Sequence, residues 1–522
     1  MNKKQVVLLL SFILLFGTIL RITAIASESF WMDEGLEAMV FMKYDAFEIL
    51  KNVYLHGQIL PGDYDGVSDL PLYHVSLEYW TLLWGISETS LRLYSALFGV
   101  LSIIFVFLIA KQLYGVKNAL LSSFLFSISI PAIHFSQEAR HYSLYLFLGV
   151  ASIYYFIISL KSNKNIHWGL YIIFTILGLY THYLFEILLI FQISYLIFYL
   201  LYVRGYPLRK IFSKLLRNKG SIIRKTLAVY LIIALIAFPL IPRTFRESND
   251  EAWRTAPTLE GTARFFVNIS TWIYPSEELR TKIKSMQFFD MSFFDILLIL
   301  SVALTFILSY SLVTYLIYSK LRRYQFKKFI IGEKSTVFLA GWFVFPIILT
   351  FILSITTPIP IFGQIHYLLY CVPPFIILLS EAMLSFKLRH FKFLLTVFIL
   401  IQILPLNAYY SNVDKQQWRE LAEYMKGKLQ DNEVLITSIS SGAVTLRYYY
   451  GDAENIYGVR NLKETKEIIN GKERIWLVLS FWKYGDPNGL IQEYINQNYD
   501  ILESKSFFDI EIYHMQKKDI LE

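Results

Sequence analysis

The sequence predicts a polytopic α-helical membrane protein that ends in a small α/β domain. Three observations lead there. The 522 residues are 55% hydrophobic and only 17% charged, with a mean hydropathy of +0.45, whereas soluble chains carry charge at about a quarter of their positions. Several apolar runs reach the roughly 20 residues needed to cross a bilayer. The last hundred or so residues (~110) then lose that character and alternate strand-like with helix-like stretches.

In chain order, Lys3 and Lys4 precede the apolar run Val6–Leu20, and Ala24-Ile25-Ala26 follows. This looks like a signal peptide with a small-residue cleavage site, but an uncleaved first span is the better reading because many more spans follow. Residues 27–90 hold no full span and carry Asp63, Asp65, Asp69, Trp80 and Trp84. They read as an external loop with one or two short interfacial helices. Further spans are expected at 90–111, 118–134, 142–160, 168–182, 183–203, 226–245, 293–319, 335–357, 366–386 and 393–411, about eleven with the first.

Charge orients them. The formal net charge is +8, and the basic clusters recur in alternate connections on the side of Lys3 and Lys4. One runs Arg204, Arg209, Lys210, Lys214, Arg217; another runs Lys320, Arg322, Arg323, Lys327, Lys328. By the positive-inside tendency the N-terminus is cytoplasmic and the tail extracytoplasmic. These clusters need no nucleic acid to explain them. Cys371 is the single cysteine, so no intrachain disulfide can form and the redox compartment stays open. The expected domains are 1–411 in the membrane and 412–522 outside. In the tail, Gln417–Leu429, Lys463–Asn470 and Leu490–Gln497 read as helices. Val434–Ile439 and Ile475–Phe481 read as buried strands, and Tyr499–Phe507 with Asp509–Gln516 as a hairpin.

Chemistry-bearing residues collect on the outer side. Asp33 and Glu34 stand beside Trp31 just after the first span, where paired carboxylates serve catalysis better than stability. The plainer alternative is that Asp33 caps a helix beginning at Glu34. Asp69 either closes an Asx-turn beside Pro71 or joins the acids to hold an acceptor or a divalent cation. Arg140, within Ser136–Ser143, is a guanidinium on the side that disfavours arginine. It suits bidentate phosphate binding, against the alternative of a Glu138–Arg140 pair closing a turn. His182 marks an outer turn, and a histidine at membrane depth is either functional or bonded to a neighbouring helix. Arg243, Arg246, Arg254 and Arg264, with Trp253 and Trp272, sit on the same side. His366 and Tyr367 open another span there.

The segments WMDEGLEAM, SDLPLYHVSLEYWTLLWGISETSLRLYSALFGVLSIIFVFLIAKQLYG, HFSQEARHYSLYLFLGVASIYYF and GLYTHYLF occur in the order found in GT-C fold membrane glycosyltransferases. The chain resembles most closely their protein-mannosyltransferase/aminoarabinose-transferase-like branch, which uses polyprenyl-phosphate sugars. The likeness is strong over about 27–185, weaker at GQIHYLLYCVPPFIILLSEAM, and returns at QQWRELAEYM in the tail. It implies that Asp33 is the catalytic base with Glu34 beside it. It also implies that Glu138 and Arg140 belong to the site and that Asp69 sits in a second loop motif; His182, Tyr142 and Trp31 are read as candidates to line it. Members often carry histidine where this chain has Asp69, and arginine where it has His366.

The chemistry implied is inverting transfer of a sugar from a polyprenyl-phosphate donor to an envelope glycan, lipid or protein at the outer surface. One carboxylate suffices as base on the acceptor hydroxyl, because the lipid phosphate already leaves well once cations offset its charge. Arg140, with Arg246 or His366 and Tyr367, would offset it. No cofactor is required, and a divalent cation is compatible with the loop acids. The rival class is a lipid or solute transporter or flippase, which would place its ionisable residues deep within the spans rather than at their outer ends. Sugar, acceptor and oligomeric state are not legible.

Overall fold

A computed structural model describes residues 1–56, 70–205, 222–240, 257–272, 274–323, 332–357, 361–451, 453–481 and 485–518. Nine helices among the described residues are long and apolar enough to cross a membrane, from Lys3–Ile22 to Leu388–Ser411. The chain is a multi-pass membrane protein. Two of the eleven expected spans fall short. Asn165–Leu179 is an apolar helix of 15 residues. The stretch expected at 118–134 divides into Val116–Ser127 and Ile130–His134. Pro131 explains the division, because its ring excludes the carbonyl four residues back from helical bonding. That carbonyl, of Ser127, instead accepts from Nη1 of the buried Arg21 at 3.1 Å.

Contacts divide the chain into two units. The first takes Met1–Thr23 and the described parts of Ser95–Glu247 and Arg254–Asn412. Its centre is the helix Val372–Leu384, which follows the 3-10 segment Ile365–Cys371; 89% of that stretch's most apolar window is buried, against 17% for Lys3–Ile22. Pro373 and Pro374 lie at its first turn, where a missing N–H costs nothing.

The second unit takes Ala24–Tyr94 and Val413–Glu522. Among the described residues its N-terminal part holds three helices, Met32–Lys43, Ala46–His56 and Pro71–Trp84, where one or two were expected. Its C-terminal part is a five-stranded sheet: β1 (Val434–Thr437), β2 (Ile456–Gly458), β3 (Arg474–Leu479), β4 (Tyr499–Phe507) and β5 (Ile510–Lys517). The order is β2-β1-β3-β5-β4, with β1 parallel to both neighbours and β5 antiparallel to β3 and β4. Period-two alternation sends Leu435, Trp476 and Val478 to one face and Val434, Ile436, Ile475 and Leu477 to the other. Helices Trp418–Met425 and Ser440–Tyr450 cover the first face, and Leu462–Ile469 and Leu490–Asn498 the second. The expected helix at Gln417–Leu429 stops at Met425, just before Gly427, whose φ is +76°. The helix Ser440–Tyr450 and the short strand β2 were not foreseen.

Candidate active site

The two expected acids have different environments. The helix Met32–Lys43 begins one residue after Trp31, so Asp33 lies within its first turn and does not cap it. Negative charge is favoured there by the exposed N–H groups. Asp33 is half-buried, while Glu34 is fully buried. Arg92 donates from Nε to Glu34 Oε1 at 2.9 Å and from Nη2 to Oε2 at 2.7 Å. Lys415 donates to the same Oε1 at 2.9 Å. The remaining Arg92 hydrogens go to the carbonyls of Ile25, Glu28 and Ser29 at 2.9, 2.8 and 2.9 Å. Glu34 is therefore held in a fork by one guanidinium and one ammonium, the geometry in which a buried carboxylate stays ionised.

A second buried pair stands one helical turn on. His74 Nε2 lies 2.8 Å from Glu37 Oε2, both fully buried, and its Nδ1 is 3.4 Å from the Leu70 carbonyl. It ties Met32–Lys43 to Pro71–Trp84. The segment before the helix is fastened as well. Tyr449 accepts from the Phe30 N–H at 2.6 Å and donates to Glu88 at 2.8 Å, while Ser29 Oγ donates to the Gln416 carbonyl at 2.5 Å. Arg419 donates to Glu88 at 3.3 Å and to Glu420 at 3.1 Å. Burial pulls its guanidinium down, but Glu420 and Glu88 outweigh that and leave it above its ordinary value.

Within the membrane unit, the turn expected to bind phosphate is buried and brings most of its predicted partners together. Glu138 pairs with His134 at 3.1 Å. Arg140 lies 5.9 Å from the Tyr142 ring centre, and its carbonyl accepts from Ser95 Oγ at 3.2 Å. The rings of His141 and Tyr142 are 4.6 Å apart, those of His141 and His182 4.9 Å, and those of Tyr142 and His366 4.7 Å. Tyr367 stands 5.5 Å from His182. His182 Nδ1 accepts from the Leu184 N–H at 3.0 Å, so the neutral ring carries its proton on Nε2. Gln137 anchors the turn by donating to the carbonyls of Arg21 and Thr23 at 3.0 and 2.7 Å. A cation and polar rings packed among aromatics can hold an anion.

Asp69, Arg243, Arg246, Arg254 and Trp253 lie outside the described residues. Trp31 is half-buried and precedes the helix. Among the described residues no cluster of three or more His, Cys, Asp or Glu is placed to hold a metal ion. Arg92 and Lys415 were missed by sequence reasoning. The rule that singled out Arg140, an arginine at the outer end of a span, applies equally to Arg92.

Residues 70–218 match the family pattern of dolichyl-phosphate-mannose-protein mannosyltransferase. The fold is similar to that of ArnT from Cupriavidus metallidurans in the apo state, at 11% identity over 98% of each chain with a TM-score of 0.55. It is similar to the same protein bound to undecaprenyl phosphate, at 12% identity over 98% of each chain with a TM-score of 0.54. The archaeal oligosaccharyltransferase AglB from Archaeoglobus fulgidus, in complex with an inhibitory peptide and a dolichol-phosphate, is similar over 98% of this chain and 74% of that one. Its identity is 13% and its TM-score 0.54. No curated protein matches the chain. Helical bundle and tail domain have the fold of GT-C membrane glycosyltransferases, and the matched segment carries a family pattern of that class. The family match spans residues 70–218 and likens that segment, rather than the whole chain, to the dolichyl-phosphate-mannose-protein mannosyltransferases.

Proposed function

We propose that this enzyme moves a sugar from a polyprenyl-phosphate donor to a cell-envelope glycan, lipid or protein at the outer membrane surface, with inversion. Asp33 is the general base on the acceptor hydroxyl. The observation carrying this is the contrast between adjacent acids: Glu34 is saturated by Arg92 and Lys415, whereas Asp33 is half-exposed at a helix N-terminus. Glu34 then serves as the anchor beside the base. Arg140, with Glu138, Arg246, His366 and Tyr367, forms the phosphate subsite, lined by His182 and Tyr142, and Asp69 belongs with the catalytic acids; Arg246 and Asp69 are assigned on the sequence alone. The cations offset the charge of the departing lipid phosphate, so no acid is required on that side. Similar folds holding undecaprenyl phosphate or dolichol-phosphate support a lipid-phosphate donor. Basic clusters between alternate spans support a cytoplasmic N-terminus and an extracytoplasmic tail.

The test uses membranes containing the enzyme, an envelope fraction as acceptor, and radiolabelled undecaprenyl-phosphate sugars carrying mannose, glucose or aminoarabinose. Asp33→Asn is expected to cut transfer by about 10²–10⁴-fold, the range for a lost general base, with membrane insertion intact. Full transfer by that variant would remove Asp33 from the role.

A further inference from the structure

In a doubly wound sheet, ligands lie beyond the carboxyl ends of the strands where the connections reverse direction. In the tail domain the chain leaves β1 for β2 and returns past it to β3, so the reversal falls between β1 and β3. Ser438 follows β1 and Ser480 follows β3; the Ser480 N–H donates to Ser438 Oγ at 3.3 Å. The Gln416 side-chain amide donates to Ser480 Oγ, and its Oε1 accepts from the Met32 N–H at 3.2 Å. The Met32 carbonyl accepts from Thr445 Oγ1 at 3.2 Å. Its thioether lies 3.3 Å from Ser441 Oγ, in the first turn of Ser440–Tyr450. The Met32 side chain packs into the core with Trp418, Ala443 and Leu446. The place where such a domain takes a ligand is thus filled by residue 32 of the same chain.

Both flanks of Asp33 are consequently tied to the tail. Met32 is seated at the reversal point and Glu34 is bonded to Lys415. Gly35 lies so close to Thr445 that an added Cβ would fall 2.2 Å from its Oγ1. Of residues 32–35 only Asp33 keeps partial exposure.

We propose that the tail domain is a positioning device for the Asp33 carboxylate and not an acceptor-binding module, with Lys415 and Gln416 as positioning residues. The proposal rests on Asp33 acting as the base. Releasing one anchor lets the carboxylate drift, and a displacement of about 1 Å costs on the order of 10²-fold in rate.

Two measurements on the full-length protein in membranes test it. In the first, Asp33→Cys is labelled with a hydrophilic methanethiosulfonate reagent; the native Cys371 is buried. Adding Lys415→Met or Gln416→Ala is expected to change the labelling rate at least about tenfold, and Lys415→Arg to restore it within about twofold. Equal rates in all backgrounds would overturn the proposal. In the second, with Asp33 intact and the undecaprenyl-phosphate sugars as donors, Lys415→Met is expected to lower kcat by about 10²-fold. Donor and acceptor KM should stay within about twofold, as for an interaction that matters only in the transition state. A rise in acceptor KM at unchanged kcat would overturn the proposal in favour of an acceptor-binding tail. Absence of transfer by the wild-type enzyme would count against the reading of Asp33 as base, while the labelling comparison still decides whether the tail positions it.

Discussion

The segment around residues 29–35 and the turn at 134–142 use charge in opposite ways. In the first, charge is committed to fixed partners: the buried Arg92 meets both oxygens of Glu34 and gives its other hydrogens to three carbonyls. In the second, Glu138 bonds His134, while Arg140, His141, His182 and His366 gather around tyrosine rings. A guanidinium whose hydrogens are all committed keeps its shape and attracts little; one packed among histidine and tyrosine rings in a confined space can draw an anion. The contrast gives the first region a structural part and accords with the phosphate subsite proposed for the second.

The largest effect that could break this contrast belongs to Arg92. Arg92→Leu strips Glu34 of both guanidinium hydrogen bonds, and losing one member of a buried ion pair costs about 3–5 kcal/mol. Thermal unfolding of the detergent-solubilised protein should register that loss. A shift below about 1 kcal/mol, the value of an exposed pair, would mean the fork is not structural.

Arg140 should behave in the reverse manner, with little change in stability and a specific loss of affinity. Arg140→Ala is expected to weaken undecaprenyl phosphate binding by about 1.5–3 kcal/mol, the worth of a hydrogen bond to a charged group. Arg140→Lys should recover only part, since an ammonium lacks the planar fork. Full recovery by lysine would reduce the site to a point charge.

The smallest effect sharpens the account of the rigid side. Tyr449→Phe removes the acceptor for the Phe30 N–H and the donor to Glu88, at about 1–3 kcal/mol. Burial, then the Glu88 carboxylate, holds this phenol above its ordinary value. The stability it contributes is therefore complete below the unfolded phenol's pKa of about 10 and declines as pH rises beyond it. Unfolding measured across that alkaline range should show a shallower decline in the phenylalanine variant.

Composition made the spans legible because a bilayer demands length and apolarity over one continuous segment, a demand interrupted at Pro131 and met by only 15 residues in Asn165–Leu179. Strands β1 and β3 were legible from their apolar runs. The helix Ser440–Tyr450 was not, because Gly442, Val444 and Thr445 lower its intrinsic helicity and its packing against Trp418 and Met32 lies elsewhere in the chain. The site divides the same way. Asp33, Arg140, His182 and His366 stand out as ionisable residues at the ends of spans. The partners of Glu34 do not, since Arg92 is 58 residues away and Lys415 381, and nothing local marks either as its counter-ion.

Those separations bear on biosynthesis. Ser29 and Gln416, bonded in the finished protein, are 387 positions apart, so ribosomes must elongate through nearly all the intervening membrane helices before the acidic segment meets its partners. Closing so distant a contact is slow, so the acidic segment acquires its tail partners only late in the making of the chain.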